Sequence, residues 1–205
     1  MSWTVGDWKR VIWTDETKIN IWGSDGVKYY LLRAGDPVQD HHLEMTVKHG
    51  GGSLMMWGCM SWKGVGYGCQ IENKMDAKTY CDILDSTFQD TLEYWDFSTE
   101  DFIFQQDNDP KHTSKLAKKW FKDRNIEMLP WPAQSSDLNP IEHIWHHLKI
   151  KLASYERKAM SIHELWERVD REWNTFTTKG YRKYIESMPA RVKAVYDAKG
   201  GHTKF

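Results

Sequence analysis

The feature that most restricts the fold is a change of period along the chain. Up to about residue 72 the apolar residues come in short β-branched and aromatic runs, RVIWTDETKINIW (10–22), SLMMWGCMS (53–61) and YGCQIE (67–72), set off by glycine and polar residues as strands are. From Asp76 the spacing becomes helical. Tyr80, Ile83, Leu84, Thr87, Phe88 and Leu92 share one face, and Asp76 is placed to cap the first turn. One run interrupts this second regime: Phe102, Ile103 and Phe104 have the pattern of a buried strand that ends in QQDNDP, so Asp107 stands where the strand leaves the core. Several strands, a helix, a strand, a helix, a strand and then helices predict an α/β fold, a mixed sheet with helices on its faces.

Within this frame, residues 10–22 predict two short strands interrupted by TDETK, with Asp15 at the end of an apolar run. Residues 23–52 differ in kind, passing from GSDG through RAGDP and DHHLE to HGGGS. They predict a long insertion, and long loops in compact domains are usually functional or disordered. After Asp107 come a basic helix near 112–123, a short strand IEML (126–129) and the proline-bounded loop PWPAQSSDLNP. Pro140 suits a first helical position with Asn139 as its cap, and Ile141, Ile144, Trp145, Leu148 and Leu152 then form one apolar stripe that leaves Glu142 in the first turn, off the stripe. Two further amphipathic helices are expected at roughly 161–174 and 181–198.

Composition narrows the setting. No apolar run approaches a membrane span, and MSWTVGDWKR has neither the apolar centre of a secretory signal nor the bias of a transit peptide, so an intracellular chain is expected. Cys59, Cys69 and Cys81 form no CxxC pair and fit simple core packing. His143, His146 and His147 fan around a helix without a further ligand motif, which speaks against zinc. The net charge of −1 conceals two basic clusters, Lys111 to Lys122 and Lys149 to Lys158. Such runs serve as solvated helix faces or lie along a phosphate backbone.

Asp15, Asp107 and Glu142 are each expected at the end of an element, where distant parts of the chain can converge. Three carboxylates at one point repel unless a cation is bound, and Mg²⁺ prefers oxygen ligands of this kind. Two such ions about 4 Å apart can activate an attacking oxygen and stabilise a leaving one in phosphoryl transfer. Each acid also has a purely structural role open to it: Asp15 in a turn with Thr14 or Thr17, Asp107 in the Asp-Pro turn, Glu142 at the positive end of a helix. The pattern alone leaves both open.

WTDETKINIWGSDG, KHGGGSLMMWGCMS, FQQDNDPKHTSK and WPAQSSDLNPIEHIW together closely resemble the catalytic core of mariner-superfamily DDE transposases, in order along nearly the whole chain. The resemblance implies an RNase H-like fold over residues 1–205, with a clamp-loop insertion at about 21–52 after the second strand. It implies that Asp15, Asp107 and Glu142 are catalytic and bind two Mg²⁺ ions, for which Mn²⁺ can substitute. The 34 residues between Asp107 and Glu142 match the branch whose third acid is glutamate. Asp109, Lys111, His112, Trp131 and His143 become candidates for supporting the acids or touching DNA, with Trp131 able to stack on a splayed base. Gly50, Gly51 and Gly52 resemble the glycine strip that contacts a partner subunit, so a homodimer is implied. Cut-and-paste movement of DNA in the nucleus, with element ends and a TA target as partners, is likewise implied. Ser136 stands where proline is common and His143 where asparagine is common. Nothing before Val11 resembles the helix-turn-helix module that family members carry for end recognition. The alternative is a domesticated or decayed relative that binds DNA or protein without catalysis.

Overall fold

The computed structural model describes residues 3–22, 52–133 and 135–199. The segment 23–51, with most of the expected insertion and with Gly50 and Gly51, lies outside the described residues. Among the described residues five strands form one sheet: β1 (Val11–Asn20), β2 (Ser53–Ser61), β3 (Gly64–Val65), β4 (Cys69–Ile71) and β5 (Ile103–Gln105). β2 lies antiparallel to β1, β5 lies parallel to β1 on its other side, and β3 and β4 pair with opposite ends of β2. The helices are α1 (Val5–Trp8), α2 (Ala77–Ile83), α3 (Gln89–Trp95), α4 (Lys115–Asp123), α5 (Ile141–Ala153), α6 (Ile162–Trp173), α7 (Thr178–Glu186) and α8 (Met188–Asp197). None is long and apolar enough to cross a membrane.

The sheet is buried on both faces, and strand alternation sorts its residues between two cores. Trp13, Met56, Met60 and Ile103 face the layer that contains α5, α6 and α7. Ile12, Trp57, Cys59 and Phe104 face the layer of α2, α3 and α4. The predicted stripe of α5 holds, with Ile141, Ile144, Trp145 and Leu148 all buried. Asp76 caps α2 as expected, accepting the Thr79 N–H at 2.8 Å, and a π-helical turn at Leu84–Phe88 joins α2 to α3.

Three expectations change. Residues 10–22 do not make two strands: β1 runs unbroken through TDETK, because residues 13–20 pair throughout with 60–53 and Thr14 and Thr17 are buried. Asp15 is therefore mid-strand, and the insertion follows the first strand of the sheet rather than the second. Ile21 N–H donates to the Gly52 carbonyl at 3.0 Å, so the chain enters and leaves that insertion at the open end of the β1–β2 hairpin. IEML contributes a single bridge, Phe104 to Met128. The helix expected at 181–198 is two helices that break at Ser187, with Pro189 in the first turn of α8 where its missing N–H costs nothing.

Gly58, paired with Asp15, shows how closely α5 and α6 approach the sheet. A Cβ there would lie 2.7 Å from Cη2 of Trp145 and 3.1 Å from Cη2 of Trp173. Gly58→Ala should therefore destabilise the protein by about 1–3 kcal/mol through overpacking. Urea unfolding measures this, and an unchanged midpoint would refute the close packing.

Candidate active site

β1 carries two consecutive acids, and alternation sends them to opposite faces. Asp15 shares the Trp13 face. There Trp145 Nε1 donates to Asp15 Oδ2 at 3.2 Å, and Glu142, one turn earlier on α5, hydrogen-bonds to the Asp15 carboxyl. The indole that holds Asp15 is itself stacked on Trp173, with ring centroids 5.0 Å apart. The start of α5 is tied to the strand by Asn139, which is buried: its Nδ2 donates to the Thr14 carbonyl at 3.1 Å and its Oδ1 accepts the Ile141 N–H at 3.3 Å. Thr14 in turn donates from Oγ1 to the Gln105 carbonyl at 2.8 Å. One network thus fixes the ends of β1 and β5 and the first turn of α5.

Glu16 points to the opposite face. His112 bridges it to Asp107, with Nδ1 2.5 Å from Asp107 Oδ1 and Nε2 3.2 Å from Glu16 Oε1. Asp107 lies two residues beyond β5. In the parallel register Trp13 pairs with Gln105, and two further residues along each strand bring Asp15 and Asp107 to the same level at the end of the ladder. The Asp109 N–H also donates to Asp107 Oδ1, at 3.0 Å. Lys111 Nζ lies 2.7 Å from Asp109 Oδ2 and 3.5 Å from Glu16 Oε2. The Tyr80 ring sits against His112, centroids 4.3 Å apart, and its hydroxyl donates to Gln106 Oε1.

The two sides differ in charge state. Burial pushes the Asp15 carboxyl up, the Glu142 and Glu16 charges add to this, and its pKa reaches about 8. Glu142 is also raised, chiefly by burial, although Lys149 draws it down. Asp15 and Glu142 therefore act as a carboxyl–carboxylate pair that keeps a proton between them at neutral pH. On the other side, burial opposes charge on His112, but its hydrogen bonds to Asp107 and Glu16 outweigh burial and push its pKa up to about 9. Burial alone would raise Asp107, yet the His112 and Asp109 bonds hold it below the ordinary carboxylate range.

Of the residues expected from sequence, the structure brings Asp15 and Glu142 together and places Asp107 with Asp109, Lys111 and His112. Among the described residues no three acidic, histidine or cysteine side chains already enclose a space that could hold a metal ion. The donor chemistry nonetheless fits a hard divalent cation: a carboxyl pair protonated for want of positive charge, and a third carboxylate at the end of the neighbouring strand. His143 turns to the C-terminal helices, stacked on Tyr184 at 4.1 Å and bonded to Arg191, away from the Asp15 carboxyl. Trp131 packs edge-on against Trp13 at 5.6 Å, its carbonyl held by Asn108 Nδ2 at 2.8 Å. Gly52 has φ +89, so its glycine has a local cause at the hairpin end. Glu16, Trp145, Thr14 and Gln105 were not expected in the site. For Glu16 the signal was present, since two adjacent acids in a strand buried on both faces must each find a partner.

These features match known proteins. The family model described as DDE superfamily endonuclease matches residues 10–166. The Tcb2 transposable element transposase of Caenorhabditis briggsae is 39% identical over 207 aligned residues, which cover all of this chain and 74% of that protein. The Tc1 transposase of Caenorhabditis elegans is 38% identical, also over 74% of its length. Among solved structures, the Mos1 mariner paired-end complex with Mn superposes with a TM-score of 0.81 at 21% identity, over 96% of this chain and 57% of that one. The catalytic domain of Mos1 mariner transposase gives 0.72 at 19% identity, over 96% of this chain and 85% of that one. The chain thus spans about three quarters of the nematode relatives and a little over half of the Mos1 chain in that complex.

The charge states predict how stability depends on pH without divalent cations. Asp15 titrates near 8 when folded against an ordinary 3.8, so between those values the folded state keeps a proton that the unfolded chain has released. Its contribution is present at low pH and is lost as pH rises through 8. His112, raised from 6.5 to about 9, acts in the same direction and loses its contribution as pH rises through 9. Thermal unfolding in a chelator should show the melting temperature falling between about pH 6.5 and 9. Asp15→Asn should flatten the part below pH 8 and be more stable than wild type there. Parallel pH profiles for the two proteins would contradict the buried pair.

Proposed function

Since the chain belongs to the DDE superfamily endonuclease family, as the catalytic core of a transposase, we propose that Asp15, Asp107 and Glu142 hold two divalent cations, Mg²⁺ or Mn²⁺ in its place, where a DNA phosphodiester is cut and rejoined. The observation that carries this is the Asp15–Glu142 pair: two carboxyls from distant parts of the chain, pressed together half-buried at the price of a retained proton. A scaffold selected for stability alone would put a basic or apolar side chain against Asp15. When bound, divalent cations there supply the positive charge that lowers the pKa of an attacking water or 3′-hydroxyl and offsets charge on the leaving oxygen.

The chain's own residues prepare that site. Asp15 must give up the proton it keeps near neutrality, so binding is favoured as pH rises toward 8. Trp145 keeps its hydrogen bond to Asp15 Oδ2 and orients the carboxylate. His112 and the Asp109 N–H both occupy Asp107 Oδ1, which leaves Oδ2 as that residue's ligand atom. Lys111 and the exposed lysines of α4 provide positive charge for DNA backbone. The same family relation supports the further proposals of element ends and a TA target as the DNA partners, a homodimer joined through the segment containing Gly50, Gly51 and Gly52, and action in the nucleus.

The test separates activity from stability. Glu142→Gln keeps size and helix propensity, so Mn²⁺-dependent nicking of plasmid DNA should fall by a hundredfold or more. The metal-free melting temperature should hold or rise as repulsion with Asp15 is relieved. In wild type, Mn²⁺ should raise that temperature, and Asp107→Asn should remove the rise. Nicking within about threefold of wild type in Glu142→Gln would exclude Glu142 from the site.

A further inference from the structure

Beside Asp107, on the α4 side, a cavity of about 380 Å³ opens to solvent. Its lining is divided. Phe121, Ile126, Met128 and Leu129 make an apolar floor, and Phe121, Ile126 and Leu129 are buried in their own right. The half-buried ring of Trp131 forms one wall. Two exposed lysines, Lys118 and Lys122, stand one turn apart on α4 at the rim, with Asp107 and His112 opposite. The Trp131 wall has a fixed position relative to Asp107, because Asn108, the next residue, holds the Trp131 carbonyl at 2.8 Å.

We propose that this cavity receives one unpaired base of the DNA strand, stacked against Trp131, with its phosphates on Lys118 and Lys122. The inference rests on the proposed DNA chemistry at Asp107 and adds where the strand beside the reacting phosphodiester places its base. A flat apolar slot with an aromatic wall suits any base face, and lysines at its mouth suit the charge that accompanies a base and no apolar ligand. A base held here takes its sugar-phosphate out of the duplex next to Asp107, where the backbone must be exposed to react.

The experiment uses the whole chain in a chelator, so that it is independent of cation binding and cleavage. With methyl-labelled methionine, the Met128 signal is identified by its loss in Met128→Leu. Short deoxyadenylate is titrated against an abasic sugar-phosphate chain of equal length and charge. The base-bearing chain should move the Met128 signal by ring current and bind about tenfold more tightly than the abasic one, the low end of what one stacked base contributes. Trp131→Ala should erase that preference, whereas Lys118→Gln with Lys122→Gln should weaken both ligands alike. Equal affinities, or a Met128 signal that the two ligands move equally or not at all, would overturn the assignment and turn attention to a protein partner for this face. Failure here would leave the acid-triad test unaffected, since nicking by Glu142→Gln and wild type is compared on duplex DNA with Mn²⁺.

Discussion

Everything in this site follows from one strand that is buried on both faces and still carries two adjacent carboxyl groups. Alternation forces Asp15 and Glu16 apart, so each must be answered by a different layer of helices. Leaving either charge buried and unanswered would cost several kcal/mol. Glu16 is answered within the chain by His112 and Lys111. Asp15 is answered by an indole N–H and by a second carboxyl, and it pays with a proton. The strand is the same; the two solutions are opposite.

The scaffold around Asp15 is correspondingly rigid. Trp145 stacks on Trp173, Trp173 Nε1 donates to the Gly66 carbonyl at 2.8 Å, and Gly58 admits both rings against the sheet. Asn139 spans strand and helix through two buried hydrogen bonds, so the first turn of α5 cannot drift from residue 14 without leaving polar groups unpaired. Repulsion between Asp15 and Glu142 is therefore absorbed as a shift in protonation, because the backbone has no inexpensive way to move the two apart.

Much of this was legible in sequence, for identifiable reasons. The stripe of α5, the Asp76 cap and the position of Glu142 in a first turn follow from local chemistry, which a sequence displays. The TDETK stretch was misjudged because polarity reads as a break, whereas a central strand tolerates polar residues when its ladder bonds continue and their side chains find partners across space. The split at Ser187 was missed because both halves share helical periodicity, and only the turn at Glu186–Ser187 separates them. Trp145 could be assigned to the core from its spacing. That its one polar atom would meet Asp15, 130 residues away, is a property of tertiary packing alone.

The contrast between the two faces also bears on what a divalent cation would do. On the Glu16 side the positive charge is built in and titrates near 9, so that side stays organised across the neutral range and keeps Asp107 ionised and oriented. On the Asp15 side the charge is left to be supplied, and the retained proton stands in for it. A cation binding there replaces a proton and need not rearrange the fold, so most of the ordering cost is met when the chain folds. This division explains why His112 and Glu16 matter to a site whose proposed ligands are other residues: they keep one of the three acids charged while the remaining two wait as a protonated pair.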